Sequence, residues 1–393
     1  MSRFVYADNA ATTPVSPEVI EAMAPCFSEV WGNPSSQHSK GYEAKAALDD
    51  ARSRIASCLG CRPDEIYFTS CGTESDNWAI KGAAALMKKK GRTHIVTTKI
   101  EHHAVLHTCQ ALEKEGFEVT YVDVDSDGIV KMDELDAAIT DKTALVAVMY
   151  ANNEIGTVQP IREIAKLAKS RGALSFTDAV QAVGNLEIDL STLGVDMLAM
   201  SGHKIHAPKG IGLLYVRRGV RIANLIDGGG QEKRKRGGTE NLPYIVGLAK
   251  AVEIAVARIP ELDKVREKRD RLIDGLLRIP YSTLNGSREN RLAGNVNIGF
   301  EFVEGESILM WLDMAGICAS TGSACSSASL DASHVLLAIG VPHEKAHGSI
   351  RLSISHETTD EDVDYILETL PPIIERLREL SPLWEDHLKT KRN

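Results

Sequence analysis

Seven short runs rich in aliphatic and β-branched residues constrain this chain more than any other feature. They span 66–69, 94–98, 118–122, 144–149, 174–177, 196–200 and 212–216. Runs of this length, bounded by polar and glycine-containing turns, read as buried strands. Helical patterns such as Ile161 to Ser170 lie between many of them and supply the crossovers that parallel strands need. The alternation predicts an α/β domain on a mainly parallel, seven-stranded sheet. Open sheets of this kind bind ligands at the carboxyl ends of their strands. Thr73, Asn152, Asn153, Asp178 and Ser201 each fall just after a run, so residue type and position agree.

Near Pro260 the texture changes. A charged helical stretch, Glu261 to Leu277, leads into a second α/β region. Its elements are Asn295 to Phe300, the helix-like Glu306 to Ala315, Ser349 to Ile354 and a closing helix from Asp360 to Glu379. A length of 393 residues suits two cores, with the boundary expected near 255–265.

The net charge of -9 argues against non-specific nucleic-acid binding, which requires Lys and Arg to neutralise phosphates. The basic run Lys233-Arg234-Lys235-Arg236 is read as a solvated loop. No segment approaches the roughly 18 consecutive apolar residues of a membrane helix. Residues 1–8 lack the apolar stretch of a secretory signal, so a cytoplasmic location is expected. Seven cysteines, an odd number, do not suggest a disulfide framework. Cys58-Leu59-Gly60-Cys61 is a lone C-x-x-C without a second pair, and no metal site is expected. Cys26, Cys109 and Cys318 have apolar neighbours and read as packing residues.

The chemistry concentrates in Asp178-Ala179-Val180-Gln181 and Ser201-Gly202-His203-Lys204, each closing a predicted strand. Pyridoxal 5'-phosphate (PLP) needs such a set: a lysine amine to bond its aldehyde and an acid to keep its ring nitrogen protonated. An amide three residues after the acid, Gln181, suits the ring's phenolic oxygen. Gly72 and Thr73 open a helix after the first run, offering amides and a hydroxyl to a phosphate. Ser and Thr are also ordinary helix caps, so that turn is weak by itself. His102 follows another run, where an imidazole suits ring stacking and proton movement. Asn153 follows a fourth, where its amide suits the cofactor or a carboxylate. Arg351 sits in an apolar strand, where a guanidinium needs a partner and fits a carboxylate at two points. The stretch 319–329 is small and polar, with Cys325 near its centre, a composition that favours an accessible thiol.

Together these residues resemble the cysteine desulfurases of the NifS/IscS group, within the class V aminotransferase-like PLP enzymes. The resemblance runs from Tyr6-Ala7-Asp8-Asn9 to the closing helix. It includes Gly32-Asn33-Pro34-Ser35-Ser36 with His38, Gly72-Thr73-Glu74-Ser75, Glu101-His102, Asn152-Asn153-Glu154-Ile155-Gly156 and Arg236-Gly237-Gly238-Thr239. The long Ser-rich loop around Cys325 looks like that of the first desulfurase group. Cys71 and Ala207 stand where the family usually has glycine-like residues.

The resemblance implies a PLP-dependent transferase of fold type I, a homodimer with its sites at the subunit interface. The large PLP-binding domain would be 15–260, with 1–14 and 261–393 forming a smaller α/β domain that carries the cysteine loop. Lys204 would hold PLP, Asp178 its ring nitrogen and Gln181 its phenolic oxygen, with His102 stacked on the ring. Gly72, Thr73, Ser201 and His203 would bind the phosphate, joined by Thr239 of the other subunit. Asn153, also beside the cofactor, and Arg351 would hold the substrate carboxylate. Cys325 would attack the sulfur of L-cysteine, giving L-alanine and a persulfide for a sulfur-acceptor protein such as an iron–sulfur scaffold. A selenocysteine lyase or another class V enzyme would share most of this site. A non-catalytic relative would lose the lysine or the acid, and both are present.

Overall fold

A computed structural model of the chain describes residues 3–321 and 332–392. Its strands run β1 (Val5–Tyr6), β2 (Ile66–Thr69), β3 (His94–Thr98), β4 (Glu118–Val122), β5 (Thr143–Ala147), β6 (Leu174–Asp178), β7 (Met197–Ser201) and β8 (Gly212–Val216). They continue with β9 (Ser282–Leu284), β10 (Asn295–Phe300), β11 (Ile317–Cys318) and β12 (Ser349–Ser353). The seven runs read from the sequence are β2 to β8, and they form one sheet in the order β2-β8-β7-β6-β5-β3-β4.

Within that sheet β4, β3, β5, β6 and β7 run parallel to one another, whereas β8 runs antiparallel to both β7 and β2. An antiparallel neighbour needs no helical crossover. The link from β7 to β8 is therefore only residues 202–211, and it carries the Lys204 turn. The run 144–149 outlasts β5 by two residues, but Val148 N–H and Tyr150 N–H still donate to Phe176 O (3.1 Å) and Asp178 O (2.8 Å).

Apolar residues cover both faces of the sheet, as parallel strands require. Ile55 and Leu59 of the helix Ser39–Leu59 pack on one side with Leu248 and Val252 of the helix Leu242–Ala257. Trp78 and Ala83 of the helix Gly72–Lys88 pack on the other with Val105 and Leu112 of the helix His103–Lys114. A separate core gathers Val5 and Ala7 with Leu272, Ile298, Phe300, Leu352 and Ile366. It lies on the sheet β12-β10-β9 and the parallel pair β1-β11. The opening residues of the chain thus pack with its last third.

The closing helix spans Asp360–Glu379, as read, because Thr359 and Asp362 exchange hydrogen bonds at its start. A further helix, Pro382–Arg392, follows it and was not anticipated. The basic run is not simply solvated. Lys233 donates to Asp64 O (2.7 Å) and lies over the Tyr67 ring, and Arg236 pairs with Glu74 (2.9 Å). Cys26 and Cys109 are buried, whereas Cys318 is only half-buried. Among the described residues, no helix is long and apolar enough to cross a membrane.

Candidate active site

The carboxyl ends of β2, β3, β5, β6 and β7 open on one cavity of about 270 Å3. Gly72, Thr73, His102, Asn153, Asp178, Gln181, Ser201, His203, Lys204 and Arg351 all line it. Thr239 does not. It is exposed and lines a neighbouring cavity with Ser70 and Arg236. Cys325 lies outside the described residues.

Lys204 ends the 3-10 turn Gly202–Lys204, and its Nζ donates to Ala10 O and Ala11 O, both at 2.7 Å. Gln181 Nε2 donates to Ala10 O as well (3.0 Å). A segment near the start of the chain therefore forms one wall of the cavity. Asp178 closes β6 and accepts the Val180 N–H at 2.9 Å. Burial pushes its carboxyl up to about 6, against that hydrogen bond and the Lys204 charge.

The helix Gly72–Lys88 starts at the cavity with Cys71 as its cap, Sγ accepting Glu74 N–H at 3.4 Å. A Cβ at position 72 would come within 2.8 Å of Val180 Cγ2, so glycine lets the helix start close against the Asp178 turn. The first amides of a helix have no partner within it, and Gly72 and Thr73, which begin this one, line the cavity. His102 caps the next helix, its Nδ1 accepting Ala104 N–H at 3.2 Å. Nε2 then carries the proton of the neutral ring. Burial, with the Lys204 charge next, brings His102 down to about 4, so the ring is neutral near pH 7. Burial and Lys204 do the same to His203, whose Nδ1 lies 3.1 Å from Thr12 Oγ1.

The two adjacent asparagines divide their work. Asn152 is buried, donating to Ile100 O (2.9 Å) and accepting Glu154 N–H (2.8 Å), which shapes the turn. Asn153 is left to line the cavity, and its carbonyl accepts Arg351 Nη1 at 2.8 Å. Arg351 is 2% exposed and also pairs with Asp8 at 2.9 Å. Its backbone exchanges two hydrogen bonds with Ser320, and Ser333 Oγ donates to Glu154. Both described flanks of the 322–331 segment are thereby held beside the cavity.

Sequence reasoning missed several residues here. Asp8 and Ala10 act across the whole length of the chain. Asp76 and Glu101 are buried acids, Glu101 pushed up to about 8 by burial and Asp76 well above the carboxylate range. Asp76 stands three residues after Thr73, a spacing that shares a helix face and would have marked it.

Comparison with known proteins shows the family. The family model for class-V aminotransferases matches residues 5–366. The cysteine desulfurase IscS of Clostridium botulinum (strain Hall) is 55% identical over all of this chain and 99% of its own. A solved NifS-like protein superposes with a TM-score of 0.90 at 41% identity, covering 95% of this chain and 100% of that one. SspA, solved in complex with cysteine, has a TM-score of 0.77 at 38% identity, covering 89% and 98%. The chain belongs to the class-V aminotransferases and, within them, to the cysteine desulfurases.

Proposed function

We propose that this protein is a PLP-dependent cysteine desulfurase that moves the sulfur of L-cysteine onto Cys325 and releases L-alanine. The observation that carries the proposal is one cavity holding a lysine amine, a buried acid and a buried arginine, Lys204, Asp178 and Arg351. The donor set fits PLP. Asp178 is a buried acid, matched to a cationic ring nitrogen, and a helix start with Thr73, Ser201 and His203 suits a phosphate. When bound, PLP supplies an aldehyde that takes an amine and a ring that accepts an electron pair from the adjoining carbon.

The chain's own groups do the rest. Lys204 holds the cofactor and, as a free amine, takes the proton from substrate Cα. Asp178 would stay ionised to pair with the ring nitrogen, Gln181 would bind the phenolic oxygen, and neutral His102 would lie against the ring. Its Nε2 proton would exchange at the substrate thiol. Arg351 and Asn153 orient the carboxylate of L-cysteine. The Cys325 thiolate attacks the substrate sulfur. A sulfur–sulfur bond forms, the carbon–sulfur bond breaks, and its electron pair is protonated to give the alanine methyl.

The proposal extends to assembly. The exposed Thr239, beside Ser70 and Arg236, would complete the phosphate site of a second copy, and a sulfur-acceptor protein would collect the persulfide. The separate core around Ile298 and Leu352 supports a division into 15–260 and a smaller domain of 1–14 with 261–393. The decisive experiment measures alanine and sulfide from L-cysteine and PLP-loaded protein, with thiol reductant, beside Cys325→Ala. Equal yields, lost in a variant whose PLP absorbance still responds to cysteine, support the proposal. No alanine from spectroscopically intact protein, or normal sulfide from Cys325→Ala, refutes it.

A further inference from the structure

Asp76 has no role in the mechanism above, yet it lines the same cavity and is 1% exposed. A side-chain oxygen of Asp76, one of Asp178 and a ring nitrogen of His102 lie within 4.8 Å of one another. Asp76 Oδ1 is buried and makes no hydrogen bond among the described residues. Two buried carboxyls at this range do not both ionise, and one keeps a proton.

The surroundings decide which. The titratable groups around the pair are Cys71 at the start of Asp76's own helix, Glu101 and His102 before the next helix, and Lys204 after β7. Lys204 is the cation among them, and it acts on Asp178. Asp178 also receives the Val180 N–H. Asp76 faces Asp178, Glu101 and Cys71. Burial raises both carboxyls, but the Val180 N–H and the Lys204 charge favour an ionised Asp178, whereas Asp76 has only acids and a thiol beside it and keeps the proton.

We propose that Asp76 is a positioning residue: a neutral carboxylic acid whose O–H is available to Asp178, fixing Asp178 as the ionised member opposite the cofactor's ring nitrogen. This rests on the reading that Asp178 pairs with that nitrogen. The Asp76 helix also presents Gly72 and Thr73 to the phosphate, so one element would serve both ends of the cofactor.

The test begins with the apoprotein at neutral pH. Infrared spectroscopy should show a protonated-carboxyl band that Asp76→Asn removes, beside a second that Glu101→Gln removes. PLP dissociation constants and the acid limb of kcat/KM follow. Asp76→Asn keeps an N–H donor without charge and should leave that limb in place. Asp76→Leu lacks the donor and should move the limb up by about one pH unit and weaken PLP about tenfold, the worth of one hydrogen bond. The proposal is overturned if Asp76→Asn removes no such band, or if it moves the limb down, as loss of a negative charge would. An unmoved limb in both variants assigns Asp76 to packing and also overturns it. The infrared and Asn arms stand even if Asp76→Leu does not fold. Asp178→Asn is the separate control. Unaltered PLP affinity and spectrum there would refute the pairing of Asp178 with the ring, while the infrared result on Asp76 would remain.

Discussion

Glu232 anchors the loop that leads to Thr239, and its removal has a calculable effect. Its carboxylate accepts Arg52 at two points, 2.9 and 2.6 Å, and the Phe68 N–H at 3.0 Å. Arg52 also donates to Ile66 O (2.7 Å) and lies 4.5 Å over the Phe68 ring. Both residues are under a tenth exposed, 8% for Arg52 and 5% for Glu232. Removing one member of such a pair strands a buried charge, at about 3–5 kcal/mol. Arg52 would keep a carbonyl and an aromatic face, which puts Glu232→Gln near the low end, about 3 kcal/mol. Replacing both partners costs less, so the cycle of Arg52→Met, Glu232→Gln and the double variant should show a coupling of about 2 kcal/mol. Urea unfolding of the apoprotein, followed by tryptophan fluorescence, measures it. Glu232→Gln should also release PLP faster on dialysis, because Thr239 follows on the same loop. A coupling below about 0.5 kcal/mol would refute the anchor.

Other outcomes follow from the site. Protonation of Asp178, at about 6, would remove the charge proposed to pair with the ring nitrogen, so PLP affinity of the apoprotein should fall as pH drops below about 6; a flat affinity across that range contradicts the assignment. Glu101, raised to about 8 from 4.5, keeps a proton in the folded chain that the unfolded chain has lost. Apoprotein stability should therefore decline as pH rises from the unfolded value toward 8, and Glu101→Gln should flatten that decline in a thermal-melt series. Lys204→Ala should lose the visible absorbance of lysine-bound PLP, and an unchanged spectrum would move the attachment point elsewhere.

Much of this was legible because local pattern and global role coincide. The sheet's strands announce themselves as apolar runs, and residues just after them line the cavity. The direction of β8 was not legible, because an apolar run looks the same in either orientation, and only a short link after Lys204 hints at it. The Arg52–Glu232 pair was hidden for a different reason. Its members lie 180 positions apart, and a buried ion pair has no local signature. Arg351 announced its need for a partner, but nothing in the sequence singled out Asp8 to supply it.

The wall formed by residues 8–11 has a consequence for synthesis. Asp8 reaches Arg351 across 343 positions, and Ala10 N–H binds Ser353 Oγ across 343 as well. At about 5–20 residues per second, roughly 20–70 s separate the emergence of the two ends of this contact. During that interval the sheet, with Asp178 and Lys204, can already fold, while the wall against which Lys204 and Gln181 rest waits for its last strand. The nascent chain would thus acquire its cofactor-binding face early and its arginine-bearing face last. A deletion within residues 8–11 would be felt directly at Lys204 and Gln181.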